Sequence, residues 1–282
     1  NRITGPFGNE MIVGFYILNF GILVLSLLNF FNQNSPKLNY IFIIIFFIFI
    51  LLTGERTSFL TGFYFLTFLF LFSNKKKFVL FTTISIMLIS ILTISNVDYL
   101  KNKYPVYDIL KSSIGVEKGK DLSSLSDKKD NNIINITGNY IPVHKWKGHF
   151  ERSIEIFKKN VFFGSGFRNY RIVCFDYQKK YFDSINISKC STHPHNFHLE
   201  IISENGIIGY LIFIVFVIYI IRLFIKEKLR NNFGSCMLFC LILSFLIPFK
   251  TTGSIFTTNY AFVFWYLIGN YFYLIKKIKK NN

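Results

Sequence analysis

Seven apolar stretches, separated by short polar segments and by one long hydrophilic segment, run along the chain. Most are close to the length of about 20 residues that a helix needs to cross roughly 30 Å of hydrocarbon. None shows the strict alternation of apolar and polar residues that marks a strand, so we predict α-helices. The second and third are short and separated only by Gly-Glu-Arg, so they could form one interrupted unit. The predicted spans cover residues 10–30, 38–53, 57–73, 78–96, 199–221, 233–249 and 258–275.

These spans predict an all-α integral membrane protein with about seven transmembrane helices and one long, partly helical loop. Residues 1–96 hold four helices, residues 97–198 form the loop, and residues 199–282 hold three helices and a basic tail. The first half of the loop is poor in apolar residues and is expected to be mobile, whereas the second half, from Tyr140, is rich in aromatics and is expected to fold against the helices. Because the chain opens without Met or a signal peptide, we expect it to be the C-terminal part of a longer membrane protein.

The formal net charge of +17 raises the question of nucleic-acid binding, but membrane topology accounts for much of it. Lys and Arg concentrate in the short cytoplasmic loops of membrane proteins. The opposite short segments carry only Arg2, Arg56 and Lys250, which places the long loop outside the cytoplasm. We therefore predict no nucleic-acid partner. Twelve basic residues lie on the cytoplasmic side, namely Lys37, Lys75, Lys76, Lys77, Arg222, Lys226, Lys228, Arg230, Lys276, Lys277, Lys279 and Lys280.

Arg56, in the stretch LLTGERTSFL, lies between two apolar runs and four residues before Leu60. Ionisable groups at membrane depth are costly and therefore indicate function. A guanidinium that faces outward offers a bidentate fork for phosphate oxygens, which predicts an anion clamp. The alternative is an arginine that snorkels to the interface, with Glu55 as its partner.

A second group of arginines lies in the loop, in the stretch GHFERSIEIFKKNVFFGSGFRNYR. Ile154, Phe157 and Val161 recur at helical spacing, which predicts an amphipathic helix that lies in the membrane interface. The Gly-Ser-Gly of residues 164–166 ends this helix, and we interpret it as a turn rather than a phosphate loop. The candidates for anion binding are Arg152, Arg168 and Arg171.

Three of the five histidines lie within six residues, from His193 to His198, at the start of the fifth span. A proline follows His193 and favours an extended conformation there, which places this histidine in the loop. His195 and His198 are three residues apart, a spacing that puts them on one helix face. A histidine in this position predicts a general base near neutral pH, and a helix-capping or interfacial histidine is the alternative. Gly206 and Gly209, further along the span, predict a close approach of a neighbouring helix.

The four cysteines form two pairs. Cys236 and Cys240 lie one helical turn apart inside a span, which favours apolar packing. Cys174 and Cys190 both lie in the exported loop, where an oxidising compartment permits a disulfide. Zinc held by Cys190 and the neighbouring histidines is the alternative, but no CxxC or HExxH motif accompanies them, so we predict no metal.

The histidine motif resembles that of bacterial O-antigen ligases, in which a His–Asn pair is followed after nine residues by Gly and after two more by a second Gly. The stretch RTSFL is similar to the Arg-x3-Leu pattern of the same family. The order of several spans, a long loop and a late span that opens with the histidine motif also resembles the family over nearly the whole chain. O-antigen polymerases and protein O-oligosaccharyltransferases share much of this architecture. The residues that match the family patterns are Arg56, Leu60, His195, Asn196, Gly206 and Gly209.

The resemblance implies a glycosyltransferase of the bacterial inner membrane that needs no metal or cofactor and faces the periplasm. It would move a glycan from a polyprenyl (undecaprenyl) diphosphate donor to a sugar hydroxyl of lipid A–core, among membrane lipids. By resemblance, Arg56 and Arg152 would bind the donor diphosphate, His195 would activate the acceptor hydroxyl, and Asn196 would support it. The chain offers no carboxylate pair for a covalent relay, which predicts inversion in one step.

Two other functions stay open. An O-antigen polymerase of the same family would use a second lipid-linked glycan as acceptor. A transporter or flippase for a lipid-linked sugar would also explain arginines at membrane depth. However, carriers bind their substrates near the midplane between repeats, whereas these ionisable residues gather at one face.

Overall fold

A computed structural model describes residues 12–32, 36–97, 99–100, 143–181, 190–256 and 259–281. These ranges are built from α-helices, short turns and one 3₁₀ turn, and they contain no β-strand. The expectation of a mobile first half of the loop falls outside the described residues. The helices are α1 (Val13–Asn32), α2 (Pro36–Thr53), α3 (Arg56–Phe72), α4 (Lys76–Asn96), α5 (Val143–Lys159), α6 (Tyr170–Tyr181), α7 (Phe197–Lys226), α8 (Phe233–Phe245) and α9 (Asn259–Asn281).

A helix occupies each of the seven apolar segments, and the all-α prediction is confirmed for the described residues. Helices α1, α4 and α7 are long and apolar enough to cross a membrane, and α2, α3 and α8 are apolar but shorter. The second and third segments are separate helices, because Gly54 adopts a positive φ of 70° and ends α2. Only glycine adopts this conformation at little cost.

Helix α8 is the centre of the bundle, with every residue buried except Phe233 and Leu243. It packs against α1, α3 and α9. Gly234 permits the contact with α1, because a Cβ at this position would lie 2.2 Å from the carbonyl oxygen of Ser26. Cys236 and Cys240 are free thiols buried in the same helix, in agreement with their predicted packing role.

The outer surfaces of α4 and α7 expose large aliphatic side chains, including Leu88 and Leu92 on α4 and Leu211, Ile212 and Val215 on α7. Water disfavours such a surface, and hydrocarbon does not. These faces are therefore suited to lipid.

Helices α5 and α6 pack against the N-terminal half of α7. The Sγ atoms of Cys174, in α6, and Cys190 lie 2.08 Å apart, with 5.7 Å between the Cα atoms. The bonded pair fastens α6 to the segment that leads into α7. Ile156 and Tyr170 are buried beside this pair and form a small core separate from that of the bundle.

Candidate active site

Helix α7 begins two residues after His195, with Asn196 as its N-cap. The Asn196 Oδ1 atom accepts the backbone N–H groups of His198 and Leu199 at 3.0 and 3.2 Å. Its Nδ2 atom donates to the carbonyl of Pro248 at 2.7 Å. Both polar atoms of Asn196 are therefore used to start the helix and to hold the segment after α8, rather than pointing toward an acceptor.

His195 lies before the helix and adopts a positive φ of 54°. The prediction that it shares a helix face with His198 is wrong, because this left-handed residue turns the chain away from the helix axis. Its carbonyl accepts the backbone N–H of Thr252 at 2.8 Å, and the Thr252 hydroxyl accepts the N–H of Phe197 at 2.9 Å. The segment around Thr252 thus clamps the backbone on both sides of Asn196.

The three histidines of the motif have different surroundings. In His198, Nδ1 lies 3.2 Å from the Tyr210 hydroxyl and Nε2 lies 2.7 Å from the Leu246 carbonyl, so both ring nitrogens have protein partners. The ring of His195 contacts those of His193 and His149, with centroid distances of 4.4 and 5.3 Å. Burial lowers the pKa of His193, and the nearby His149 lowers it further, which favours the neutral form at neutral pH.

His149 was not singled out by the sequence. It belongs to α5, and its contact with His195 makes this helix part of the site. It lies one turn before Arg152 on α5, and its carbonyl accepts the Tyr170 hydroxyl at 3.3 Å. Burial raises the pKa of Tyr170 to about 12, although the Ser153 hydroxyl and the Arg152 charge offset part of the effect. No local motif marks His149, because its contact with His195 depends on the packing of α5 against α7.

Arg152 is almost completely buried, with 2% of its side chain exposed, and its Nη1 atom donates to Glu155 at 2.7 Å. It lies in the middle of a helix that begins at Val143, nine residues before it. Arg168 and Arg171, the alternative arginines, are both exposed.

Arg56 begins α3, and its side chain is exposed. The Arg56 guanidinium forms no hydrogen bond or ion pair with the residues that the structure describes. Glu55, its suggested partner, accepts the N–H groups of Gly14 and Phe15 at 2.7 and 3.0 Å and the Ser58 hydroxyl at 2.9 Å. The carboxylate therefore caps the start of α1, where a negative charge is favourable. Four residues later, the Leu60 side chain is exposed as well.

The segment from Lys250 to Thr252 connects α3 with the histidine motif. The hydroxyls of Thr251 and Thr57 lie 3.0 Å apart. The Lys250 ammonium donates to the Thr61 hydroxyl at 3.0 Å and to the Ser244 carbonyl at 2.9 Å. Burial lowers the pKa of Lys250 to about 7. Lys250 had been counted only as a topological charge, and the sequence carries no local sign of this role.

Gly206 breaks α7, with φ 64° and ψ −167° inside the helix. The break leaves backbone groups without helical partners, and the turn at 161–166 supplies them. Ser165 and Gly166 donate to the carbonyls of Ser203 and Glu204, both at 2.9 Å. In return, the N–H groups of residues 207 and 208 donate to the carbonyls of residues 161 and 162 at 2.8 and 3.3 Å.

A Cβ at Gly206 would lie 2.3 Å from the Phe162 carbonyl oxygen, and one at Gly164 would lie 2.3 Å from the Glu204 carbonyl carbon. The close approach at Gly206 is therefore made by a loop, whereas the sequence had predicted a neighbouring helix. At Gly209 an added Cβ would meet the Asn205 side chain of the same helix at 2.3 Å. The interpretation of Gly-Ser-Gly as a turn is confirmed, because the N–H groups of all three residues are bonded to carbonyls of Asn160, Ser203 and Glu204.

Two carboxylates of α7, missed in the sequence, hold the loops around the site. Glu204 accepts the N–H groups of Arg168 and Tyr170 at 2.8 and 3.0 Å, and Glu200 accepts that of Ile255 at 3.1 Å. Two acidic residues four apart at the start of an apolar span are a signal that could have identified them.

Among the residues that the structure describes, no group of three or more His, Cys, Asp or Glu side chains is arranged to hold a metal ion. The Cys190 sulfur is bonded to Cys174, which removes the thiolate that the zinc alternative required.

The fold and these residues define a helical membrane protein with basic and histidine side chains gathered at one end of α7. The family model described as O-antigen ligase matches residues 41–214, which is more than half of the chain. The chain therefore belongs to the O-antigen ligase family, as the motifs had indicated. No curated protein and no solved structure matches it. Family and apolar helices together identify a multi-pass membrane protein and support a glycosyltransferase-like enzyme.

Proposed function

We propose that this protein transfers a glycan from polyprenyl diphosphate, most simply undecaprenyl diphosphate, to a sugar hydroxyl of lipid A–core. The protein would cross the bacterial inner membrane seven times, and its active site would face the periplasm. His195 is the proposed general base, and Arg56 and Arg152 are the proposed ligands of the donor diphosphate. No metal or cofactor takes part in the proposed reaction.

The observation that carries the proposal is that His195 is connected to both of the helices that bear these arginines. On one side, the Thr252 N–H bonds the His195 carbonyl, and the adjacent Thr251 contacts Thr57, the residue after Arg56. On the other side, the His195 ring contacts His149, one turn from Arg152. This arrangement supports a site in which a base and two cations act on one substrate pair.

The reaction would proceed by a single displacement. His195 takes the proton of the acceptor hydroxyl as its oxygen bonds the anomeric carbon of the donor glycan. The bond from that carbon to the diphosphate oxygen breaks, and the electron pair leaves with the diphosphate. The arginines stabilise the charge that develops on this leaving group. One displacement inverts the anomeric configuration, and Glu200 and Glu204 are bonded to backbone N–H groups rather than poised as a nucleophile pair.

The two arginines contribute differently in this proposal. Arg56 is exposed and presents its whole guanidinium fork, which suits direct contact with phosphate oxygens. Arg152 is buried and forms an ion pair with Glu155, so it would bind the diphosphate from a fixed position close to the histidines. Arg168, which is exposed and follows the turn at 161–166, is the alternative for the second direct contact.

A polymerase of the same family would differ only in its acceptor, which would be a second lipid-linked glycan. A transporter for lipid-linked sugars is the rival from another class. The cluster at one end of α7 favours an enzyme, because carriers place their binding groups near the midplane.

The test is a reaction in detergent or liposomes with purified lipid-linked donor and lipid A–core as acceptor. A ligase releases free polyprenyl diphosphate and extends the core, whereas a polymerase releases it without lipid A–core and lengthens the lipid-linked glycan. If neither acceptor leads to release of polyprenyl diphosphate, the proposed reaction is wrong and a carrier becomes the better account.

A further inference from the structure

The segment 161–167, called here the 161–167 loop, exposes an unusual amount of aromatic surface. Phe162, Phe163 and Phe167 are 66%, 77% and 60% exposed, and Val161 beside them is also exposed. The segment reads VFFGSGF and contains no charged residue. A contiguous apolar surface of this kind on a protein indicates contact with a partner or with lipid.

The backbone of this loop is already bonded to the protein. Ser165 and Gly166 donate to α7, the carbonyls of Val161 and Phe162 accept from it, and Gly164 donates to Asn160. Irregular backbone can enter hydrocarbon only where its N–H and C=O groups are hydrogen-bonded to other groups of the protein. The pairing with the break at residue 206 meets this requirement for four of the loop's backbone groups, and the Asn160 carbonyl meets it for a fifth.

The loop is also continuous with the lipid-facing surface of α7. Ile208, whose N–H bonds the Phe162 carbonyl, begins a row of exposed aliphatic residues that continues through Leu211, Ile212 and Val215. The phenylalanines therefore lie beside the Ile208 end of a surface that is already suited to acyl chains. Hydrophobic side chains at this edge reach hydrocarbon without any change in the fold.

Basic side chains flank the loop on both sides. Lys158 and Lys159 end α5 just before it, and Arg168 and Arg171 follow it, all of them exposed. Long basic side chains beside an apolar segment place their charges among lipid phosphates while their stems cover hydrocarbon. Basic residues on both sides of an apolar loop suit a loop that enters hydrocarbon while its two ends stay among the headgroups.

We propose that the 161–167 loop inserts into the lipid leaflet on the side of His195, with Phe162, Phe163 and Phe167 in the acyl-chain region. The occupant of this surface is the hydrocarbon of the bilayer. The inserted loop then fixes the depth of α7 through its bonds to residues 203–208. If the proposed function holds, the same anchor keeps His195 close to the headgroup layer in which a lipid diphosphate lies.

The experiment measures lipid contact directly, independently of enzyme activity. Cys236 and Cys240 are replaced by alanine, and an environment-sensitive fluorophore is attached to Phe163→Cys under non-reducing conditions in reconstituted liposomes. Ile212→Cys, on the exposed face of α7, is the matched membrane control. Glu151→Cys, exposed on α5, is the matched control for water.

Lipids that carry a nitroxide near the top of the acyl chain are expected to remove most of the fluorescence at positions 163 and 212, with little loss at 151. Iodide added to the water phase is expected to act in the opposite order. A probe at 163 that iodide quenches as fully as at 151 would overturn the proposal, because the loop would lie in water. Protection from both quenchers would also overturn it, since protein and not lipid would then cover the phenylalanines.

Discussion

The side-chain hydroxyls of Thr57 and Thr251 lie 3.0 Å apart, although 194 residues separate them in the sequence. Thr57 follows Arg56 in the first turn of α3, and Thr251 precedes Thr252, whose N–H donates to His195. The contact therefore relates the position of the proposed donor-binding arginine to that of the proposed base. Group transfer depends steeply on such positioning, so both sides of this contact matter for rate.

Arg56→Lys is expected to lower turnover roughly 100-fold while the protein remains inserted, because lysine keeps the charge but not the planar fork. Turnover and donor affinity are measured at matched protein levels. Arg230→Lys, an exposed arginine at the other end of α7, is the control and should behave as wild type. Equal activity of Arg56→Lys and wild type would make Arg56 an interfacial anchor.

Lys250 gives the protein a specific dependence of stability on pH. Burial lowers its pKa to about 7 from an ordinary 10.5, so between these values the unfolded chain binds a proton that the folded protein does not. Stability therefore rises with pH across this window, and the cost of burying the charge is fully present below about pH 7. In detergent, the thermal midpoint of wild type, measured relative to that of Lys250→Met, should rise as the pH is raised from 7 to 10.

Lys250→Arg is the matched variant for this measurement. Arginine stays charged over the whole range, so it should be less stable than wild type and show no gain with pH. A constant difference between wild type and Lys250→Met at every pH would contradict the buried, titrating lysine.

Gly206→Ala should destabilise the protein by at least about 1–3 kcal/mol, because the residue has a conformation that is nearly restricted to glycine. The added Cβ would also lie 2.3 Å from the Phe162 carbonyl oxygen, in the backbone of the loop. Gly269→Ala in α9 is the control, since a Cβ there meets nothing within 4 Å. A thermal midpoint of Gly206→Ala as high as that of Gly269→Ala would show that the break in α7 is not required.

The four cysteines should differ in reactivity. In denatured but unreduced protein, only Cys236 and Cys240 are expected to take up an alkylating reagent, because the other two are bonded to each other. After reduction all four should react, and mass spectrometry counts the labels. Alkylation of Cys174 and Cys190 without reductant would remove the disulfide from the account.

Most of the helices could be predicted because hydrocarbon requires long apolar helical runs, and such runs are visible in the sequence. Their ends were less predictable. The sixth span was expected to continue to residue 249, but α8 ends at Phe245. The helix does not continue through Pro248, because proline has no backbone N–H to donate. The seventh was expected to end at residue 275, but α9 continues to Asn281, since its lysines favour helix outside the apolar run.

The candidate site was only partly predictable. The histidine motif singled out His195, Asn196 and Gly206, but the N-cap role of Asn196 and the break at Gly206 became visible only in the structure. The contacts of His149, Lys250 and Thr251 join residues far apart in the chain, and no local pattern encodes them. The purpose of Gly206 likewise depends on a loop about 40 residues earlier.

The most direct test of the account is the turnover of His195→Ala, measured with donor binding and compared with His193→Ala and His198→Ala. Removing a general base costs roughly 10²–10⁴-fold in rate, so the His195 variant should be nearly inactive while the arginines still bind the donor. His198, whose ring nitrogens face Tyr210 and the Leu246 carbonyl, and His193 should each cost much less on replacement. Near-normal turnover of His195→Ala, or an equally inactive His193→Ala, would contradict the assignment of His195 as the base.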